Sequence, residues 1–479
     1  MKKCKPPHLF FIFTFILPAT ILAQHQELQD NPILWKGKEQ QHTDTAGLLY
    51  VFKKGQVHGH FRYFFMHTNN EAALTDYYAH AAGGGIKYET GLYKGWQAGI
   101  SGFFIFNLAS SDLAKPDAAT QANNRYEIGL FDITNPHNKT DINRLEELYL
   151  KYQQKEFVIT AGKQLINTPF INLQDGRMRP TVVDGVWLHL QPAANTNIAA
   201  EGGWIYGISP RSTVKWYGVG ASIGVYPVGV NENGIKSGYA GNVNTNAVWL
   251  VGASYTLTKN TALKACNVFV PKVFNTTLSE LSFNFPTVSK SKWVFGLQSV
   301  YQTVVNNGGN TNPAKAYYKK GGHAITFGIK AGWQNTHWQT SLNYNRITAA
   351  GRYLMPREWG REPFFTFLPR ERNEGLGDVH AYTTKINYHF IKQRINSQLG
   401  LGYYNLPPVN NYALNKYGLP SYVQLNLDVR YEWAGFFKGV ETQLLYVCKK
   451  QASPETLNKR AIINKVNMHQ WNLIMNFHF

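Results

Sequence analysis

The chain has 479 residues and a formal net charge of +19, with 16% charged and 14% aromatic residues. So few charges beside so many rings exclude a disordered chain, which needs the reverse balance. Past the N-terminus there is no run of about 18 apolar residues, which excludes a bundle of membrane helices.

Residues 1–23 read as a secretory signal peptide. Lys2, Lys3 and Lys5 form a positive head, Leu9 to Leu17 an apolar core, and Ala19 to Ala23 a cleavage region before Gln24. Cys4 leaves with this segment. Cys266 and Cys448 remain, too few for a disulfide framework, although export would permit one bond. Cleavage removes three lysines and no acids, leaving +16. A basic exported chain suits nucleic acid, an anionic lipid surface or a pore for anionic solutes. Export argues against nucleic acid, and no zinc-finger, RNP or helix-turn-helix pattern supports it. Residues 24–56 are polar, with an isolated Trp35 and an apolar patch from Leu48 to Phe52. They are expected to form an N-terminal periplasmic segment or partial plug.

From residue 57 the pattern has period two. Strands are expected at 57–67, 82–91, 95–107, 145–154, 156–164, 182–192, 196–207, 245–258, 260–271, 276–287, 292–304, 322–333, 335–348, 378–390, 395–406, 420–435, 438–449 and 466–479, eighteen in all. Residues 422–433 are the clearest. Val423, Leu425, Leu427, Val429, Tyr431 and Trp433 fall on one face, and Gln424, Asn426, Asp428, Arg430 and Glu432 on the other. Such length exceeds the usual five or six residues of a soluble strand and suits a tilted membrane strand of about 9–11. Aromatic residues gather at segment ends, where an interfacial girdle belongs. The strand at 276–287 is interrupted by Pro286. Short connections follow residues 91, 154, 192, 258, 333, 390 and 435. Long ones cover 108–144, 165–181, 208–244, 305–321, 349–377 and 450–465. This alternation predicts an all-β fold, a transmembrane antiparallel barrel of about 18 strands over residues 57–479. Trp471, Leu473, Met475, Phe477 and Phe479 alternate to the last residue, the ending by which an outer-membrane strand meets the barrel-assembly machinery.

Other motifs carry no chemistry. His58-Gly-His60 has no third ligand nearby in sequence. Gly83-Gly-Gly85 and Gly218-x-Gly220-x-x-x-Gly224 lack phosphate-loop or dinucleotide spacing. There is no Gly-x-Ser-x-Gly and no His-Glu-x-x-His, so neither an enzyme nor a metal or cofactor site is expected.

The segment 162–185 carries Gly162, Lys163, Gln164, Thr168, Pro169, Asp175, Arg177 and Pro180. It resembles the third-loop region of the OprD-like porins, in which Arg is common where Lys163 stands. Residues 359–378 (WGREPFFTFLPRERNEGLGD) resemble the seventh loop of a Bacteroidetes-type branch, and 216–230 its fourth loop. The resemblance implies an eighteen-stranded porin, monomeric or weakly trimeric, whose third and seventh loops fold inward as a constriction. It puts Arg177, Arg179, Asp175, Arg352, Arg357, Arg361, Arg370 and Arg372 near the narrowest section. Guanidinium groups bind carboxylates in bidentate geometry. By alternation Arg62, Lys151, Lys330, Lys385, Arg394 and Arg430 face the pore wall. The expected function is passive, substrate-selective diffusion of small anionic or zwitterionic solutes, such as carboxylates, amino acids or short peptides, across the outer membrane. The alternatives are a non-selective general porin, a barrel enzyme or an adhesin.

Overall fold

The computed structural model describes residues 35, 43–44, 47–174, 176–190, 197–287, 290–453 and 456–479. The segment 1–23 and Asp175 lie outside them. Of 24–56, the described parts include Trp35, a two-residue strip at Thr43–Asp44 and the helix α1 (Leu48–Lys53).

Among the described residues there are eighteen long strands. They are β1 (Gln56–Asn69), β2 (Tyr77–Glu89), β3 (Trp96–Ser110), β4 (Ile142–Gln153), β5 (Phe157–Gln164) and β6 (Val182–Leu190). Next come β7 (Ile198–Ser209), β8 (Val248–Thr258), β9 (Thr261–Val270), β10 (Phe274–Pro286), β11 (Lys292–Val304) and β12 (His323–Gln334). The last are β13 (Trp338–Ile347), β14 (Val379–Phe390), β15 (Ile395–Asn405), β16 (Tyr422–Glu432), β17 (Val440–Gln451) and β18 (Met468–His478). Successive strands pair antiparallel, and β1 closes on β18, with His60 opposite His478. Phe479 and Gly59 exchange backbone hydrogen bonds at 2.8 and 3.1 Å, carrying the seam to the last residue. Closure leaves no free edge, the condition for crossing lipid, where an unpaired backbone group finds no water.

All eighteen expected strands are present. The largest boundary difference is in β2, which begins at Tyr77 and not at 82. Its run Ala79-His-Ala-Ala-Gly-Gly-Gly has no large apolar period to read. Pro286 is the last residue of β10, where it interrupts nothing. The connections at one end are two to seven residues long. At the other end lie 111–141, 165–181, 210–247, 305–322, 348–378, 406–421 and 452–467, with two shorter connections at 70–76 and 271–273. The loop 406–421 is a long connection that the sequence pattern does not announce.

The wall is inside-out relative to a soluble protein. On β16, Val423 is 43% exposed and Leu427 45%, while Asn426 and Asp428 are only 3% and 4% exposed. The apolar side therefore faces lipid, and the polar side packs against loops inside the cylinder. Rings flank this band at both ends. Trp96–Tyr152 and Trp338–Tyr388 pair at the short-turn end, with centroids 4.8 and 4.5 Å apart. Tyr344–Tyr382 and Tyr446–Trp471 pair toward the long-loop end, at 4.9 and 4.4 Å. The strip Thr43–Asp44 and the helix α1 sit at the short-turn end. Thr43–Asp44 pairs in parallel with Leu92–Tyr93, and Gly91 N–H donates to the Val51 carbonyl at 3.0 Å. Cys266 and Cys448 are free thiols.

Candidate functional site

The loop 165–181 is turned into the barrel by the end of β5 and by its own first bend. Gly162 has φ +112°, a conformation for glycine, and a Cβ there would overlap the Leu148 carbonyl. The Gln164 amide donates to the carbonyls of Thr160, Gly162 and Gly185 at 3.1–3.2 Å, capping the end of β5. The Thr168 hydroxyl donates to the Ile171 carbonyl at 2.9 Å and accepts from its N–H at 3.0 Å, which fixes the bend at Pro169.

The loop 348–378 crosses the lumen and is held by polar side chains on the inner wall. Gln302 donates to the Leu354 carbonyl (2.7 Å), Gln298 to Pro363 (3.0 Å) and Lys385 to Phe365 (2.8 Å). Gln424 and Asn426 both donate to the Pro369 carbonyl, at 2.8 and 3.0 Å. Five inner-wall side chains on β11, β14 and β16 thus satisfy loop carbonyls that would otherwise be buried unpaired.

The two loops clasp through Asn172. Its amide donates to the Arg361 carbonyl (2.9 Å), and its Oδ1 accepts from the Arg361 N–H (3.0 Å). Loop 210–247 joins them. Trp359, fully buried, donates Nε1–H to Ser222 Oγ at 3.0 Å. Gly224 N–H donates to Glu358 Oε1 at 2.6 Å, and Arg211 Nη2 to the Arg357 carbonyl at 2.7 Å. Burial raises the Glu358 carboxyl above its ordinary range, and Glu374 adds to this.

The sequence-expected arginines fall into distinct groups at this junction. Arg177, Arg370 and Arg372 are brought together, close enough that each charge opposes the others. Burial first, then Arg370 and Arg372, push the Arg177 guanidinium down to about 10. Arg370 donates to Gln470 (2.5 Å) and Asn472 (2.7 Å) on β18. Arg372 donates to Gln174 (2.8 Å) and the Gly360 carbonyl (2.8 Å) and lies 3.6 Å from Glu362. Burial opposes the Arg357 charge, yet Tyr417 and Glu374 raise it overall. Arg361 lies 4.8 Å from the Phe367 ring centroid and lines a cavity with Gln174, Gly176, Arg370, Asp428 and Arg430. That cavity, of about 50 Å³, lies between both loops and the wall.

Two of the eight stand apart. Arg179 is 4% exposed and ion-paired with Glu146, which also holds Arg144 at 2.7 Å. Arg352 donates to the carbonyls of Val230 and Asn231, at 2.8 and 3.1 Å, and ties loop 348–378 to loop 210–247. Asp175 lies outside the described residues.

Of the wall residues, Arg62 donates to Asn476 (2.6 Å) and to the Arg177 carbonyl (2.8 Å). Arg430 lies 3.3 Å from Asp428, and Lys330 6.0 Å from the Phe365 ring centroid. Lys151 is half-buried near the lower end of β4. Arg394 is not on the wall. It sits exposed in the turn 391–394 with φ +57°, between the ends of β14 and β15 that the sequence pattern itself marks, so strand alternation does not reach it.

Three groups at the junction escaped the sequence reading. Arg211 is 2% exposed. Burial first, with Arg372, Arg177 and Arg357 adding, pushes its guanidinium down to about 9, against the opposite pull of Tyr226. Arg125, over the Tyr126 ring at 5.5 Å, is lowered by burial and then by Arg357 and Arg372. Lys449 donates to the Arg370 carbonyl at 2.5 Å. A signal existed for the first. Arg211, Arg357 and Arg370 each follow a proline, and these are the only Pro–Arg steps in the chain. Nothing local marks Arg125 or Lys449.

The cluster retains unused donors. Arg177 Nε, Arg211 Nη1 and Arg357 Nε are buried without a hydrogen-bond partner. Crowded cations with spare N–H groups favour an arriving anion, which relieves the repulsion and satisfies the donors. Among the described residues, no group of three or more His, Cys, Asp or Glu side chains converges as a metal site.

No family model and no curated protein matches the sequence. Solved structures do. OccK9 (OpdG) of Pseudomonas aeruginosa matches with a TM-score of 0.69 at 13% identity, over 90% of this chain and 99% of that one. OpdK of the same organism, solved with vanillate, gives 0.66 at 11% identity, over 90% and 99%. OccAB4 of Acinetobacter baumannii gives 0.66 at 14% identity, over 89% and 98%. At this identity the likeness is one of fold: the chain has the eighteen-stranded barrel fold of the OprD/Occ porins.

Proposed function

We propose that the protein is an outer-membrane porin for passive diffusion of small anionic or zwitterionic solutes, with carboxylates as the favoured class and amino acids and short peptides within range. The observation that carries this reading is the set of Arg177, Arg211 and Arg357, gathered from three loops inside the barrel with spare buried donors. A basic passage raises the local concentration of anions, and a planar guanidinium suits a carboxylate. OpdK, of the same fold, was solved with vanillate, a carboxylate. The exposed apolar band supports an outer-membrane location in contact with lipid.

The test is reconstitution in planar bilayers under a salt gradient. The protein should conduct with an anion-selective reversal potential, and benzoate should block the chloride current. Arg177→Ala with Arg211→Ala should weaken that block by about a hundredfold or more, the equivalent of two charged hydrogen bonds at about 1.5 kcal/mol each. A cation-selective current, or block unchanged in the double variant, overturns the arginine assignment.

A further inference from the structure

Two features of the sequence have no role in the arginine junction: the isolated Trp35 and the triplet Gly83-Gly84-Gly85. The structure brings them together on the inner wall. Trp35 donates its indole N–H to Glu147 Oε2 at 2.9 Å. The Arg179 guanidinium lies over the Trp35 ring at 5.5 Å and over the Phe103 ring at 4.2 Å. The glycines make the room. A Cβ on Gly85 would come within 2.5 Å of the Phe103 ring and 2.7 Å of the Gly102 carbonyl, and within 3.3 Å of Trp35 Cη2. A Cβ on Gly83 would meet Phe103 at 2.7 Å and Met178 at 3.0 Å. A side chain at either glycine would fill the hollow that Phe103 and Trp35 occupy.

The rest of the hollow is rigidly built. Glu147 is 3% exposed and is also held by Lys87 (3.1 Å) and Ser101 (2.8 Å). Arg179 is fixed by Glu146 on the adjoining register of β4 and reaches His60 Nδ1 at 3.2 Å. A flat ring with one N–H therefore finds three things at once: a carboxylate acceptor, a guanidinium face and an aromatic neighbour. These belong to the wall and loop 165–181, whereas Trp35 comes from outside the barrel sheet. Indole and wall are thus ligand and site within one chain.

We propose that β2–β4 and Arg179 form an aromatic-ring subsite in the lumen, specific for a planar ring bearing an N–H donor, and that Trp35 is its resident occupant. The proposal rests on the pore reading only for its consequence: with Trp35 in place the subsite is closed to aromatic permeants, and with Trp35 withdrawn it opens to them beside the basic junction.

The test uses the full chain in detergent micelles with 5-fluoroindole as probe, followed by fluorine NMR. Trp35→Ala should bind the probe saturably, and the wild type about tenfold more weakly, because its own indole must first be displaced. Trp35→Phe keeps a ring in the hollow but loses the N–H to Glu147, so its affinity for the probe should fall between those of the wild type and Trp35→Ala. Equal binding by wild type and Trp35→Ala, or none by either, overturns the proposal. Resistance of the barrel to unfolding in cold detergent serves as the folding check. Bilayer currents separate the two readings. If neither variant conducts, the porin assignment falls while the binding result stands. If both conduct, added indole should reduce current through Trp35→Ala and leave the wild type unchanged.

Discussion

The wall and the loop junction obey opposite rules. On the wall, strands such as β16 put apolar side chains outward and polar ones inward, and the backbone ladder holds the cylinder together. In the junction, almost nothing is a ladder. Asn172, Gln302, Gln424 and Arg352 each satisfy loop carbonyls one at a time. A wall made by periodic pairing tolerates exchange among residues of like polarity. A junction made by single side-chain contacts does not. It also divides its arginines by what they touch: Arg179 and Arg144 are spent on Glu146, while Arg177, Arg211 and Arg357 keep a free N–H.

The sharpest way to break this contrast is at Glu146. Arg144 also reaches the carbonyls of Pro180 (2.8 Å) and Pro210 (3.1 Å), so the Glu146 carboxylate anchors two loops to β4. Glu146→Leu leaves two buried guanidinium groups uncompensated and should cost about 3–5 kcal/mol in urea unfolding from lipid vesicles. A loss below about 1 kcal/mol would mean that carbonyls alone hold Arg144 and Arg179.

A smaller effect is expected on the lipid face. Leu427→Lys places a charge in the apolar band and should cost about 2–4 kcal/mol. Its inward neighbour Asn426→Lys should cost less for the cylinder but displace Pro369, and so alter benzoate block. Equal costs at both positions would refute the assignment of faces on β16.

The smallest effect concerns pH in the junction. Glu371 is 1% exposed, and burial, followed by the charge of Glu362, holds its carboxyl well above the ordinary 4.5. A carboxyl raised in the folded state binds its proton more tightly there than when unfolded. Its contribution is therefore present below pH about 4.5 and is lost as pH rises through the raised folded value. Stability should decline across that window, and Glu371→Gln should flatten the decline. A pH profile of unfolding that is identical in the variant would remove Glu371 as its source.

Much of the cylinder could be read from the chain alone because its rule is local. A period of two, girdle aromatics and alternating connection lengths need no knowledge of distant residues, so eighteen strands were legible, down to β10 with its terminal Pro286. The reading failed where side chains carry no period, as in Ala79 to Gly85 of β2, and at Arg394, assigned to the wall although it lies in the turn between two expected strands. Basic loop residues were visible as a class. Their sorting was not, because Arg177 and Arg179 stand two apart in sequence, and the partner that sets Arg179 apart, Glu146, arrives from a distant strand.

What the sequence determined by itself was the barrel and its inside-out polarity, since strand alternation fixes which side each residue faces. What only the tertiary structure decided was which cations meet. Arg125, Arg177, Arg211 and Arg357 come from four loops spread over more than two hundred residues, and Trp35 meets Glu147 across 112 positions. The physical reason is that charge crowding and ring packing depend on distance in space, and no local pattern encodes which loops the closed cylinder will press together.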